Sequence, residues 1–541
     1  MNDINRRMFL RAGASSLIAS SLIASSLTDA FLPAAQAAQL DSNGNWDTGQ
    51  VCHLLPSVDD TRILLKVSLA SAQDAVPYLM VGDIRVFGHM TDTKGKHWEF
   101  LVERLTPAKT YLLSLCAKSG VNLCEPWSLT TFPAASSTPD HFRLMLYSCA
   151  GGNEKQTFLP IATRQRLFKR ALSFAPHAVI ANGDQLYWDL TAPVSSKSSA
   201  RKPGAEMLAG EFDRADVVFG GTNEMVLKQV ADAQIARLYG SLFRSTPMFF
   251  IQDDHDYFDN DEATDELVTF PPSYFMLQLA RATQHMYYPE HLSSTTRPLG
   301  LPGSSAADRF SGISESFGTL RYGKLAEVLM YDVRRSQTMA GPSAVFVDPE
   351  VEKWLTRRTA SSDAIHLLHS PSNPPGWSAG KWGEWYPDVL GADGKLTTAL
   401  SKPYWQPGWL SQHDRILASI AQNKSRIPLV VSGDLHAVGL GQILRSGKLD
   451  FSQNPVNVAL TGPIGTRPGG WPSGRRGIGS TPSTHLDLLE QIKPLEQHAF
   501  TIADFDRDKI TLRFFKWDVN GQQVDAIDTL EPFYTRVLNR T

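Results

Sequence analysis

From about residue 141 onward the chain is a succession of short apolar runs: "FRLMLYSC", "HAVIANGD", "MFFIQDDHD", "LAEVLMYDVR", "IHLLHS", "LVVSGDLH", "NVALTG", "FTIADFD" and "KITLRFFKWD". Runs of this length without polar alternation read as strands buried on both faces. In the first half they alternate with helical stretches such as "TRQRLFKRALSF" and "MVLKQVADAQIARLYGSLF", the pattern of an α/β unit built on a mixed sheet. Several of the runs finish on an acid, a thiol or a histidine. Ligands of α/β sheets gather outside the carboxyl ends of the strands, so these scattered groups are expected to converge.

Residues 45–133 follow a different rule. "TRILLKVSLA", "AVPYLMVGDIRVFG", "HWEFLVERL", "TYLLSLCAK" and "PWSLTTF" are short and alternating, with turn residues between them, as in a small β-sandwich. "LTPAKTYLLSL" looks like the turn and tyrosine-bearing strand of fibronectin type III-like modules. "PAASSTPD", 133–140, then reads as a linker. A chain of 541 residues exceeds one ordinary core. The expected division is an export signal at 1–38, an all-β domain at 45–133, a large α/β domain at 141–520 and a C-terminal extension at 521–541.

Composition narrows the partners. With 42% apolar and 20% charged residues the chain is neither disordered nor polytopic in profile. A net charge of −3 provides no global field for nucleic acid, so no nucleic-acid-binding surface is expected. "INRRMFLRAG" places Arg6 and Arg7 before "SSLIASSLIASSL" and the small-residue site "AAQAAQ". This resembles a twin-arginine export signal, with the Sec signal as the alternative. It implies the twin-arginine export machinery as a partner and a periplasmic or secreted protein, expected to be a monomer. The apolar run is short and Ser-rich for a permanent membrane span. In an oxidising compartment Cys116 and Cys124 either close their hairpin as a disulfide or stay as half-buried thiols.

The polar strand ends carry the candidate chemistry. In "NGDQLYWD", Asp184 and Tyr187 stand one helical turn apart, and if "QLYWD" opens a helix both oxygens address one ion. "FIQDDHDYFDND" sets Asp253, Asp254, His255 and Asp256 directly behind an apolar strand, with Asn260 between two further acids. Such a run repels itself unless a cation or solvent neutralises it. In "LVVSGDLHAVG", Gly433 allows a sharp turn, and Asp434 and His436 are expected to point the same way from an extended segment. The thiolate of Cys149 with the carboxylate of Asp184 and phenolate of Tyr187 would favour Fe3+ over magnesium. Asp254 and Asn260 would suit harder ions such as Ca2+. Taken singly, each acid is more simply a cap or turn residue, and Cys149 a small buried hydrophobe. Four such ends in one chain are harder to explain that way.

In their order, "SC" at 148–149, "GDxxY" at Gly183 to Tyr187, "DDHD" at 253–256, "YDVR" at 331–334 and "SGDLH" at 432–436 resemble the alkaline phosphatase D (PhoD-like) metallophosphatases. The resemblance spans residues 45 to 520, including the early sandwich. It implies a metallophosphoesterase-type αββα sandwich with a multinuclear centre at the sheet edge, holding iron and calcium. Carried over by motif, Cys149, Asp184, Tyr187, Asp254, Asn260, Asp434 and His436 become candidate ligands, with Asp184 as the bridge. Asp256 stands where the family usually has Glu, and "YWD" where it has Tyr-Glu.

The implied activity is hydrolysis of organic phosphate esters by in-line attack of a cation-activated water or oxo group. A phosphodiesterase or phospholipase D-type hydrolase and a non-catalytic ligand-binding relative are the alternatives; small phosphate esters and phospholipids are the substrate classes. His255 is a candidate proton donor to the leaving oxygen or, alternatively, a partner of a ligand. Arg334 either binds phosphate or pairs with Asp332. The Trp-rich stretch 374–409 either walls the site or pins a long loop. His366 and His369 are core histidines or further ligands.

Overall fold

The computed structural model describes residues 46–188, 210–257, 272–292, 317–338, 341–378, 407–470 and 485–540, with short pieces between them. The first 38 residues, Asp189, Asn260 and most of the Trp-rich stretch therefore lie outside the described residues.

Residues 51–130 form two four-stranded antiparallel sheets. One is ordered Val51–Val58, Ile63–Leu69, His97–Val102, His89–Met90, and the other Ile84–Phe87, Tyr78–Val81, Thr110–Cys116, Trp127–Thr130. The second sheet alternates as an amphipathic sheet should: the Thr110–Cys116 strand exposes Leu112 and buries Leu113. The Ile63–Leu69 strand does not alternate, because the α/β unit covers its other face and all seven residues are buried.

A charge sits in the middle of that buried strand. Lys66 extends its ammonium across the boundary to Glu290 (2.7 Å), to the carbonyl of His285 (2.7 Å) and to Glu99 of its own sheet. Burial works to lower the Lys66 pKa, but Glu290 and Glu99 outweigh it and the net shift is upward. His53 makes a second cross-boundary contact, from Nε2 to the carbonyl of Tyr287 at 2.6 Å. The two thiols of the hairpin are not joined. Cys116 pairs across it with Asn122, its Sγ 3.3 Å from Asn122 Oδ1, which leaves Cys124 two residues out of register.

The large unit is built from two facing sheets. The first is ordered Met248–Ile251, Ala178–Asn182, Phe142–Tyr147, His498–Phe505, Lys509–Trp517, Tyr534–Asn539, its first three strands parallel. Tyr534–Asn539, read from sequence as part of an extension, is the edge strand of this sheet. The second sheet runs Phe317–Tyr322, Ala326–Tyr331, His366–Pro371, Leu429–Ser432, Val456–Thr461, Val438–Ser446, with Leu486–Leu495 on its far side. Its parallel core is Ala326–Tyr331 through Val456–Thr461.

Period-two geometry then sorts each apolar run between two cores. Leu144, Leu146, Ile180, Val328, Leu368 and Val431 fill the space between the sheets. Their neighbours Met145, Tyr147 and Val179 face the helix Ile161–Leu172 on one outside, while Leu329, Leu367 and Val430 face the helices Pro349–Ser361 and Pro407–Gln422 on the other. The result is an αββα sandwich preceded by a small all-β unit. Its inter-sheet core is continuous with that of the β-sandwich, through Phe132 against Phe249 and Tyr322. The stretch 133–140 is docked as well: Ser137 accepts from the Lys324 amide at 2.7 Å, and the Ala135 amide donates to Asp60 at 3.1 Å. Among the described residues no helix is long and apolar enough to cross a membrane.

Replacing Lys66 by Met should strand Glu99 and Glu290 without their cation and lower unfolding free energy by about 3–5 kcal/mol in urea titrations. Lys66→Met combined with Glu99→Gln and Glu290→Gln should recover much of that loss. Burial holds the His53 pKa down to about 3, so the unfolded chain binds a proton there below pH 6.5 and the folded chain does not. Stability should therefore fall as pH drops from 6.5 toward 5, and His53→Gln should make that slope shallower.

Candidate metal centre

The parallel cores of the two sheets end at one shared rim, and the segments leaving them carry the acids, thiol and histidines. Contact there is close. A Cβ on Gly433 would lie 2.3 Å from the carbonyl oxygen of Asn182 and 2.5 Å from Ser148 Cβ, so only glycine lets the second sheet's exit meet the first. Gly183 is constrained likewise, with φ +83 and Asp253 Cβ 2.6 Å from where its own Cβ would be.

Backbone strain is concentrated at this rim. Cys149, Asp184, Asp434 and His436 are four of the eight described non-glycine residues in the left-handed region, with φ of 49, 56, 69 and 47 degrees. Each such residue costs on the order of 1–3 kcal/mol and persists only where its surroundings over-determine it. Asp184 and Tyr187 do not open a helix as expected. They lie in a tight irregular turn, yet the Tyr187 hydroxyl still reaches Asp184 Oδ2 at 3.2 Å. Nor do Asp434 and His436 project from an extended segment, and their left-handed backbones send them to different groups of ligands.

The turn is shaped by Asp256. Its Oδ1 accepts from the amides of Gln185 (3.1 Å) and Leu186 (2.9 Å), its Oδ2 from those of Asp184 (3.0 Å) and Asp253 (2.9 Å). Burial and the Asp184 charge push its pKa up, but two N–H donors on each oxygen leave no place for a carboxyl proton. The ionised form is the one this loop is built around. Asp256 is thus a loop anchor with both oxygens committed to backbone.

Three sets of candidate ligands share members: Cys149, Asp184 and His436; Asp184, Asp254 and His255; and Asp253, Asp254 and Asp434. Within each set the ligand atoms lie within 4.8 Å of one another. Tyr187 joins the first set, its hydroxyl 3.1 Å from His436 Nε2. Asp184 belongs to two sets and Asp254 to two, so the three form a row with shared carboxylates. Asn260, the remaining expected ligand, lies outside the described residues.

Electrostatics show what the row lacks. Asp184 Oδ1, Asp253 Oδ2 and Asp254 Oδ1 are buried without a hydrogen-bond partner, a costly state for a carboxylate oxygen. Burial pushes the Cys149 thiol and the Tyr187 phenol well above their ordinary values, reinforced by the neighbouring Asp184. Asp253 and Asp254 are driven up by burial, with Arg334 opposing. At Asp184 burial also acts upward, but His255 and His436 prevail and the net shift is downward, to about 2. Thiol, phenol, imidazole and carboxylates with orphaned oxygens at this spacing fit bound cations.

Arg334 does not pair with Asp332 through its side chain. Its Nε donates to Asp253 at 2.5 Å and its Nη2 to Asp434 at 2.9 Å, so a guanidinium already neutralises part of the third set. Asp332 accepts instead from the Tyr257 hydroxyl (2.5 Å), and Arg335 donates to Tyr257 at 2.8 Å. His255 is partly exposed, its ring 4.2 Å from that of Tyr187. His366 and His369 are core residues: His366 reaches the carbonyl of Asp506, and His369 lies between Tyr331 and Thr359, its pKa pushed down by burial to about 3. Trp377 and Trp409 are buried and hydrogen-bonded to Glu490 and Thr338, which pins the ends of the Trp-rich stretch.

No protein-family model and no curated protein matches the chain. Among solved structures, one described as the structure of PhoD aligns with a TM-score of 0.60 over 90% of each chain at 14% identity. The two chains share a fold. Purple acid phosphatase PPD1 from yellow lupin (Lupinus luteus) seeds aligns with a TM-score of 0.50, over 90% of this chain and 74% of the lupin one, at 12% identity. These likenesses concern fold. The clustered ligand-type residues at the rim are suited to holding a metal ion.

Sequence reading passed over Asp253 as a ligand, because nothing in "DDHD" says which carboxylate faces the rim. It also assigned no role to Asp256 as an anchor, since a hydrogen-bonded turn acid and a ligand look alike in sequence. Asp256→Asn should leave backbone donors of the turn unsatisfied and lower the stability of metal-free protein by about 1–3 kcal/mol, read by urea unfolding.

Proposed function

We propose that this protein is an exported phosphoesterase of the alkaline phosphatase D type, hydrolysing organic phosphate esters at a centre that bridges the two sheet edges. The observation that carries this reading is the set of buried, unpartnered oxygens on Asp184, Asp253 and Asp254 beside the thiol of Cys149 and the phenol of Tyr187. Cys149, Asp184, Tyr187 and His436 would hold a ferric ion, and Asp184 with Asp254 a neighbouring calcium, with Asn260 and Asp434 completing the ligands. Cations held at these positions would supply charge neutralisation for the ester and a water that gives up its proton readily, the hydroxide being the nucleophile that in-line displacement of the leaving oxygen from phosphorus needs.

The chain's own groups have separate tasks. Arg334, fixed by Asp253 and Asp434, presents a rigid guanidinium at the third set, where it balances carboxylate charge and can orient a phosphoryl oxygen. His255, half-buried with its ring 4.2 Å from that of Tyr187, can give a proton to the leaving oxygen as the bond from phosphorus to it breaks. The strained, over-determined backbone keeps these groups from relaxing toward one another. Arg6 and Arg7 ahead of the apolar run support the twin-arginine route, by which a folded, metal-loaded protein reaches the periplasm or the exterior.

Purified protein should hydrolyse a generic aryl phosphomonoester, and the rate should vanish with a strong chelator and return with added metal; a parallel assay on an aryl phosphodiester ranks the two ester classes. Protein without chelator-sensitive turnover on either would overturn the proposal. Tyr187→Phe should abolish a visible phenolate-to-iron band, and Asp184→Asn should lower kcat/KM by at least a thousandfold together with bound metal. Retention of colour and iron in Tyr187→Phe would remove Tyr187 from the ligand set.

A further inference from the structure

The helix Thr222–Ala231 does not continue regularly. Its next residues, Asp232–Ala236, form a π-helical turn before the helical path resumes at Arg237–Tyr239. A π turn inserts a residue into the helical register and is retained where the altered direction of one side chain has a use. Here that side chain is Gln234, wholly buried. Its Oε1 accepts two backbone N–H groups, from Gly152 at 2.6 Å and from Tyr187 at 3.0 Å.

Those donors belong to different strand exits. Gly152 lies three residues after Cys149 in the segment that leaves Phe142–Tyr147, and Tyr187 closes the turn that leaves Ala178–Asn182. One amide oxygen therefore spans the segment bearing the thiol and the segment bearing the phenol. Only glycine fits at 152, where φ is +95 and a Cβ would lie 2.0 Å from the Phe158 ring. The same Cys149 segment is held on another side by Arg164, whose Nη1 donates to the carbonyls of Ala150 (2.8 Å) and Gly151 (2.9 Å). The π segment itself is anchored: the Tyr287 hydroxyl donates to Asp232 (2.7 Å), and Gln165 donates to the carbonyls of Arg237 and Leu238.

We infer that Gln234 is a positioning residue for the metal centre, delivered by the π turn to set the separation between the segments that carry Cys149 and Tyr187. Through Oε1 it acts on the backbone of both segments. This inference rests on the reading of the rim as a metal centre. A side chain of equal length without an acceptor leaves two buried N–H groups unmatched and frees the two segments to drift apart. The first set, which draws groups from both segments, should feel that drift most.

The test uses full-length protein carrying Gln234→Met, Gln234→Glu or, as a control, Gln412→Met, which removes a buried amide oxygen that likewise accepts two backbone N–H groups, from Phe346 and Val347, away from the rim. Each is stripped with chelator, reloaded with ferric iron, and read by iron per chain under competing chelator, by the visible band of Tyr187, and by the unfolding midpoint of the metal-free form. Gln234→Met is expected to retain iron at least tenfold more weakly and to shift or weaken the band. Gln234→Glu, which keeps the acceptor, should restore both in large part, and Gln412→Met should leave both as in the parent. Unchanged iron retention and band in Gln234→Met would overturn the inference, as would equal losses in Gln412→Met. If Gln234→Met does not fold, Gln234→Glu decides: loss of iron and band in folded Gln234→Glu shows that the acceptor is not what matters. Failure of the parent protein to take up iron is a separate outcome and overturns the metal-centre reading itself.

Discussion

Buried negative charge at the meeting line of two sheets is the constraint around which this molecule is arranged. Asp184, Asp253, Asp254 and Asp256 are all buried within one rim, and only some of their oxygens find protein donors. Desolvating so many carboxylates is unfavourable by several kcal/mol per ion unless positive charge or donors are supplied. The fold supplies both, unevenly: backbone amides to Asp256, a guanidinium to one oxygen each of Asp253 and Asp434, and no hydrogen-bond partner to Asp184 Oδ1, Asp253 Oδ2 and Asp254 Oδ1. That unevenness separates structural acids from those suited to cations. It also explains why left-handed backbone accumulates at Cys149, Asp184, Asp434 and His436, since the rim forces side chains inward from segments that would otherwise turn outward.

The β-sandwich is part of the same construction. Its inner sheet covers the flank of the α/β unit beside the Met248–Ile251 strand and the Tyr274–Tyr287 helix. Lys66 and His53 fasten it to the end of that helix. The strand it stiffens is the one that runs directly into "QDDHD". Stability at the boundary and placement of the acids are thereby coupled, which gives a reason for the run of residues buried on both faces in Ile63–Leu69.

Much of this was legible in the residues. The apolar runs identified the parallel strands. The ordered motifs picked out Cys149, Asp184, Tyr187, Asp254, Asp434 and His436, which the fold brings to one rim. Where expectation and structure parted, a local rule had met a tertiary one. A helical first turn at "QLYWD" is reasonable by spacing, but hydrogen bonds from the amides of Asp184, Gln185 and Leu186 to Asp256 hold an irregular turn instead. Pairing of Arg334 with Asp332 is reasonable by proximity, but buried Asp253 and Asp434 compete from other strands and win its side chain. A disulfide between Cys116 and Cys124 is reasonable by compartment, but strand register puts Asn122 opposite Cys116.

What the sequence by itself determined was the alphabet of the site and its placement at strand ends, because apolar periodicity and the chemistry of acids, thiol and imidazole are local properties. Which acid anchors a loop, which is neutralised by arginine and which is left with a bare oxygen was decided only in three dimensions. Those roles depend on donors contributed from other strands up to a hundred residues away, as Asp434 is from Arg334. Gln234 marks the far end of that scale: a polar residue inside a helical run carries no signal of its own, and it gains a role only when a π turn points it between two strand exits.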